Sequence, residues 1–115
     1  MAYNEILAGR VRQILAKKNL PVEEKNMMGG LTFMVNGKMC VGISKDELMA
    51  RIAPEEYGNA LSKKGCRPMD FTGKPMVGFV FINSEGTGSD KELESWVHLA
   101  LDFNSRAKAS KKSKN

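Results

Sequence analysis

The chain has 115 residues, of which 42% are hydrophobic and 27% are charged, and its formal net charge is +5 at pH 7. This length and composition are typical of one globular domain with a single core. No apolar run approaches the roughly 18 residues that cross a bilayer, and the N-terminus has no continuous apolar stretch of the signal-peptide type. We therefore expect a cytoplasmic protein that does not act at a membrane.

The positive charge is concentrated at the C-terminus. The last eleven residues, SRAKASKKSKN, contain no acidic side chain, and the 104 residues before them hold 13 basic and 13 acidic side chains. We predict a single domain over residues 1–104 and a disordered basic tail over residues 105–115. The tail has no aromatic residue for base stacking, so it either adds nonspecific affinity for nucleic acid or other anions or only keeps the protein soluble. Its cations are Arg106, Lys108, Lys111, Lys112 and Lys114.

The first predicted element is an amphipathic helix over residues 4–18. Its apolar residues recur at helical spacing, and basic residues lie near its C-terminal end, where they complement the helix dipole. Asn19 is a suitable stop, and Pro21 prevents the helix from continuing. The apolar positions are Ile6, Leu7, Val11, Ile14 and Leu15.

After this helix the apolar period changes to two, which indicates β-strands. Gly29-Gly30 and Asn36-Gly37 are two-residue sequences that adopt positive φ and close β-hairpins. A phosphate-binding loop needs a strand before it and a helix after it, so we interpret both sequences as turns rather than as anion sites. The predicted elements form a four-stranded antiparallel meander with strands at 22–28, 31–35, 38–43 and 48–53.

The second half of the sequence predicts two helices and one more strand. A proline at a first helical position and a glycine after two lysines bound a short helix over residues 54–64. Residues 66–75 are rich in Pro and Gly and predict a loop. The run MVGFVFI, residues 76–82, lacks alternation and predicts a strand buried on both faces. A long helix over residues 90–106 completes an α+β fold.

Two-residue turns fix the register of the meander, so its cross-strand pairs can be predicted. Around the first turn, Met27 is predicted to lie opposite Thr32. Around the second turn, Met34 is predicted to lie opposite Met39. These pairs place one set of apolar residues on a single face, which is the predicted core. The set is Met27, Met34, Met39, Val41, Ile43, Leu48, Ala50 and Ile52.

The opposite face of the meander is also predicted to be apolar. Left in water, it would exceed the few hundred Å² of apolar surface that monomers usually expose. A helix of the same chain, a second copy in a homodimer or a partner protein must therefore cover it. The candidate protein-contact residues on this face are Leu31, Phe33, Val35, Cys40, Met49 and Arg51.

No pattern in the sequence predicts a metal site, a cofactor site or a catalytic residue. His98 is the only histidine, and no HExxH, GxSxG or CxxC motif accompanies it, so we interpret it as a surface or boundary residue. Cys40 and Cys66 lack metal-like spacing and are interpreted as reduced thiols. Two weaker hypotheses concern one loop. Flanking cations could lower the pKa of Cys66 and make it reactive, and Arg67 with Asp70 could bind a small ligand.

Several short motifs lie in order along the chain. They are Lys25-Asn26-Met27-Met28-Gly29-Gly30, Phe33, Asn36-Gly37-Lys38-Met39, Gly42, Leu48 with Arg51, Arg67-Pro68, Asp70-Phe71, Gly73, Pro75-Met76 and Gly78. Together they resemble the TfoX (Sxy) N-terminal domain family over residues 3–106, with methionine at two aromatic positions of the pattern, Met28 and Met69. Longer members have a helical C-terminal domain, whereas this sequence continues into the lysine-rich tail, so we expect a stand-alone member.

The resemblance implies a compact α+β domain, an association with the regulation of natural competence in bacteria, and no established catalytic residues. The leading hypothesis is a non-enzymatic regulatory domain that acts through contacts with a protein partner or as a homodimer. The second is a nucleic-acid-associated accessory protein that uses the basic tail. The third is a small enzyme that uses the loop from Cys66 to Asp70. We expect no cofactor.

Overall fold

The computed structural model describes residues 3–27, 30–69 and 77–106. The helices are α1 (Glu5–Ala16), α2 (Tyr57–Leu61), α3 (Ser84–Thr87) and α4 (Asp90–Asn104), with a 3-10 turn at Pro54–Glu56. The strands are β1 (Val22–Met27), β2 (Gly30–Val35), β3 (Lys38–Ser44), β4 (Glu47–Arg51), β5 (Cys66–Pro68) and β6 (Phe79–Ile82). The predicted α+β class is confirmed.

Local capping explains where the two long helices begin and end. The Asn4 side chain accepts a hydrogen bond from the backbone N–H of Leu7 at the start of α1. Beyond the end of α1, Asn19 adopts a φ of 55°, which asparagine tolerates better than most residues. At the start of α4, Ser89 and Glu92 form a reciprocal capping box. The predicted bounds of these helices are therefore correct to within two residues.

The six strands form one antiparallel sheet in the order β1-β2-β3-β4-β6-β5. The predicted turn at Asn36-Gly37 is confirmed, with φ values of 54° and 78°. The prediction of an unbroken loop over residues 66–75 is wrong at its start, because β5 pairs with β6 along the edge of the sheet. The strand predicted in MVGFVFI is confirmed over Phe79–Ile82, and it lies between β4 and β5 with both faces covered.

The register of β2 differs from the prediction in two ways. At the first hairpin, Met27 pairs with Gly30 rather than Thr32, a slip of two residues that leaves the faces unchanged. Between β2 and β3, Phe33 pairs with Val41 and the next residue, Met34, pairs with Met39. Cys40 is thus an extra residue on β3, which is the arrangement of a β-bulge.

The bulge reverses which side of β2 faces the core. Side chains alternate along a strand, so one extra residue moves every following side chain to the other face. Phe33 consequently shares its face with Val41 and Ile43, whereas Met39 joins a separate cluster on the opposite face. The predicted division of the meander into two faces is therefore wrong for β2 and for the start of β3, and correct from Val41 onward.

The core lies between the helices and one face of the sheet. Helix α4 packs on β3 and β4, and α1 packs on α4 and β3. The buried amide of Asn104 donates to the Val35 carbonyl at 3.1 Å, which ties the end of α4 to the end of β2. We call the helix-covered side the inner face and the other side the outer face. Among the described residues, no helix combines the length and the apolar character that crossing a bilayer requires.

Candidate functional site

Burial disfavours the thiolate form of both cysteines. Burial raises the pKa of the Cys40 thiol to about 12. Burial also raises the pKa of the half-buried Cys66 thiol to about 11, and Lys63 opposes that shift only weakly. The expected net lowering of the Cys66 pKa is therefore wrong, because desolvation outweighs the effect of Lys63. Both thiols are free, which agrees with their interpretation as reduced residues.

Arg67 is engaged with groups of its own domain. Its Nε and Nη2 atoms donate to the Glu47 carboxylate at 3.0 and 2.6 Å, a bidentate pair on the outer face. Its guanidinium also lies 4.6 Å from the centre of the Phe81 ring. Asp70, its predicted partner in a ligand site, lies outside the described residues. A ligand at this position would have to compete with Glu47 for the guanidinium.

His98 lies on the exposed side of α4, as its interpretation as a surface residue requires. It borders a shallow groove of about 510 Å³ together with Lys18, Leu20, Leu101 and Asp102. Across residues 3–27, 30–69 and 77–106, no group of three or more His, Cys, Asp or Glu side chains is arranged to hold a metal ion.

The six predicted contact residues separate into two groups. Four of them lie on the inner face and are at most 4% exposed, because α1 and α4 cover them. Of the three covers expected for this face, helices of the same chain are the one that buries these four residues. Met49 and Arg51 lie on the outer face, where Met49 is fully buried and Arg51 is half-buried. The four inner residues are Leu31, Phe33, Val35 and Cys40.

A cross-strand row on the outer face explains the burial of Met49. Gly42 pairs with Met49, and Met49 pairs with Phe81 on the next strand. A Cβ atom at Gly42 would lie 2.7 Å from the Met49 methyl group, so glycine leaves the space that this methionine fills. Met49, Met69 and Phe81 form the buried centre of the outer face, and Met39 and Phe79 pack against it.

Arg51 lies where the outer face meets the end of α4. Its guanidinium carbon is 5.6 Å from the centre of the Phe79 ring and 5.6 Å from the centre of the Phe103 ring. The Arg106 guanidinium carbon lies 5.5 Å from the centre of the same Phe103 ring. Arg106 Nη2 also donates to the Glu55 carboxylate at 2.7 Å. Aromatic rings and guanidinium groups thus alternate across this end of the domain, within the distance at which cations and ring faces attract.

An exposed apolar side chain lies in the segment that leads into β6. Val77, two residues before Phe79, is 62% exposed, whereas most large apolar side chains of the domain are buried. Met39 and the two rings are each partly exposed. We call this set of residues the Arg51 patch. It consists of Met39, Arg51, Val77, Phe79 and Phe103.

The Arg51 patch is hardly visible in the amino-acid sequence. Phe79 and Val77 lie in a run that predicts full burial, and Phe103 lies in the last turn of α4, far along the chain. Of the five residues, the sequence predicts only Arg51 as a contact residue. A signal that could have found the patch is the charge of Arg51, the direct partner of Phe79 in the sheet, because a charged side chain on that face has to reach water.

A second surface feature is a cleft of about 440 Å³ between the end of α1 and β1. Arg12 donates to the Glu24 carboxylate across it, with distances of 2.7 Å from Nε and 2.9 Å from Nη2. This hydrogen-bonded ion pair lowers the pKa of Glu24. The Arg12 guanidinium is 6.0 Å from the centre of the Phe33 ring, which lies beneath the cleft.

The family model of the TfoX N-terminal domain matches residues 13–104. The chain belongs to this family. The match extends from the last turn of α1 to the last residue of α4 and includes all six strands. Among curated proteins, none matches the chain.

The residues that carry the family resemblance mostly shape the fold of this TfoX N-terminal domain. Asn36 and Gly37 form a turn with positive φ, Gly42 makes room for Met49, and Phe33 fills the core. Arg51 is different, because it lies in the partly exposed Arg51 patch. Like Arg67, it combines contacts within the domain with partial exposure.

Proposed function

We propose that this TfoX N-terminal domain is a regulatory module of natural competence in bacteria, and that it acts by binding another protein in the cytoplasm. The Arg51 patch is the observation that carries the proposal. Arginine, methionine and aromatic residues are the types most enriched at the centres of protein interfaces. A partner that fits this surface would present apolar side chains to Val77 and Phe79.

We further propose that the domain does not catalyse a reaction. The family membership supports this, because it brings no catalytic residues to the chain. The raised pKa values of Cys40 and Cys66 also argue against a thiolate nucleophile at neutral pH. The loop hypothesis is further weakened because Arg67 is held by Glu47.

Nucleic-acid binding by the tail is the second candidate function. Its support is the concentration of the excess charge in residues 105–115. Arg106 stacks on Phe103 and pairs with Glu55, so this cation is already occupied by the domain. Any electrostatic affinity would therefore come from the four lysines that follow, which lie outside the described residues. They are Lys108, Lys111, Lys112 and Lys114.

A complementation experiment tests the leading proposal. A naturally transformable bacterium that lacks its own member of the family receives the wild-type chain, Val77→Asp or Ile6→Asp at equal expression. Ile6 is the matched control, since it is a large apolar residue that is 79% exposed on α1, away from the Arg51 patch. The measurements are the number of transformants and the transcripts of DNA-uptake genes.

Wild type and Ile6→Asp are expected to restore both measurements, and Val77→Asp is expected to restore neither. Equal activity of all three chains would contradict the assignment of the contact to the Arg51 patch. Failure of the wild-type chain to change either measurement would contradict the role in competence.

A further inference from the structure

The strand β1 forms an open edge of the sheet. It has six residues, and Val22 through Asn26 are all exposed. The strand at the opposite edge, β5, has only three residues and ends in Pro68, which has no backbone N–H to donate. Long open edges are the usual site at which another strand is added to a sheet. The edge at β1 is therefore the one that can accept another strand.

The hydrogen bonds of β1 show which backbone groups face outward. Asn36 donates to the Pro21 carbonyl at 3.1 Å, and this bond continues the pairing of β1 with β2. In an antiparallel pair, hydrogen-bonded and non-hydrogen-bonded positions alternate. Odd-numbered residues of β1 thus bond to β2, and the even-numbered residues direct their N–H and C=O groups to the free edge. These residues are Val22, Glu24 and Asn26.

We propose that two copies of the chain pair antiparallel along β1, about a two-fold axis at Glu24, and so join their sheets into one of about twelve strands. In this register Val22 of each copy lies opposite Asn26 of the other, and Glu24 lies opposite itself. All outward backbone groups of the three residues then find partners, which gives about six hydrogen bonds.

Charge selects this register over its neighbours. With the axis at Glu24, Glu23 of each copy lies opposite Lys25 of the other, at the closely spaced positions where side chains interact most strongly. An axis at Glu23 would place two glutamates opposite each other at such a position, and an axis at Lys25 would place two lysines there. Either alternative also leaves outward backbone groups of β1 without a partner.

In the proposed register two Glu24 carboxylates approach each other at the axis, and Arg12 offsets their repulsion. Each carboxylate already accepts two hydrogen bonds from Arg12 of its own copy, at 2.7 and 2.9 Å. Each Glu24 therefore enters the interface with its charge compensated. The cleft of about 440 Å³ beside β1 leaves space on the inner face for side chains of the second strand. The Arg51 patch stays open, because β2 and β3 separate β4 from β1.

Charge reversal tests the proposal through the mass of the full chain in solution, measured by sedimentation or light scattering over a concentration series. Glu23→Lys and Lys25→Glu each convert two attractive pairs into two repulsive ones. Each variant alone is expected to raise the Kd of the dimer at least about tenfold. An equimolar mixture of the two variants restores both attractive pairs, so it is expected to form heterodimers with a Kd near that of the wild type.

Two controls complete the experiment. Lys91→Glu makes the same charge change at an exposed position of α4 and is expected to leave the Kd unchanged. Asn26→Pro removes an outward N–H without breaking the bonds of β1 to β2. It is expected to have the mass of a monomer in solution and the circular dichroism spectrum of a folded protein. A wild-type chain that stays monomeric, a dimer that both single variants leave intact, or variants that do not combine would each overturn the proposal.

Discussion

Replacing Phe33 by alanine tests which face of β2 belongs to the core. Phe33 is fully buried on the inner face, beneath α1 and α4. Removal of a buried phenylalanine costs about 3–5 kcal/mol, from the lost transfer free energy and the cavity left behind. This is a large part of the roughly 5–15 kcal/mol by which a domain of this size is stable.

Phe79→Ala is the matched comparison, since it removes the same atoms from the outer face. Phe79 is partly exposed and lies in the Arg51 patch, so the expected cost is about 1–2 kcal/mol. The assay is urea unfolding followed by circular dichroism, with thermal unfolding as a second measurement. At roughly 4–5 °C for each kcal/mol, Phe33→Ala should lower Tm by about 12–25 °C.

A cost for Phe79→Ala that equals or exceeds the cost for Phe33→Ala would refute the assignment of the faces. If Phe33→Ala does not fold, the variants Phe33→Leu and Phe79→Leu make the same comparison with smaller losses. Phe33→Leu should still be the more destabilising of the two, because its site is closed on all sides.

Three further results are expected. The pKa of Glu24 is lowered by Arg12, so their pair stabilises the domain above the unfolded pKa of about 4.3 and loses that contribution as pH falls through the lower folded value. The free energy of unfolding, measured by urea titration at several pH values, should vary less with pH in Glu24→Gln than in wild type, by under about 1 kcal/mol because the pair is partly exposed; an unchanged pH dependence would argue against the pair. A thiol reagent at neutral pH should label Cys66 first and Cys40 later, both more slowly than a free cysteine, because their pKa values are about 11 and about 12. Labelling of either thiol in the folded protein as fast as a free cysteine would contradict its burial, and faster labelling of Cys40 than of Cys66 would contradict the order. Deletion of residues 107–115 should reduce the slope of log affinity for DNA against log salt by about 3–4, since each cation that neutralises a phosphate contributes about 0.9; an unchanged slope would show that the tail does not carry DNA binding.

Local signals in the sequence were sufficient for the elements and their order. Apolar spacing predicted α1 and α4, Asn19 and Pro21 predicted the end of α1, and Asn36-Gly37 predicted the turn between β2 and β3. Ile43 and Leu48, which are predicted to share one face, are direct partners in the structure. These features depend on neighbours in the chain, and so the sequence specifies them directly.

The candidate site could not be predicted in the same way. The bulge at Cys40 adds one residue to β3 without any glycine or proline to mark it, and this single residue moved Phe33 from the predicted contact face to the core. The Arg51 patch depends on α4 returning across the end of β4, which brings Phe103 to Arg51. Such a meeting of distant segments is a property of tertiary packing and leaves no periodic pattern in the sequence.

The most direct test of the proposed function is site-specific crosslinking in cells. A photo-reactive amino acid is introduced at Val77 in the Arg51 patch, or at Ile6 on α1 as the control, and adducts are compared by mass. The account predicts one defined protein adduct from position 77 and none of that mass from position 6. It also predicts that Arg51→Glu abolishes the adduct while the domain stays folded. An identical set of adducts from both positions, or an adduct that survives Arg51→Glu, would contradict the central claim that this patch binds the regulatory partner.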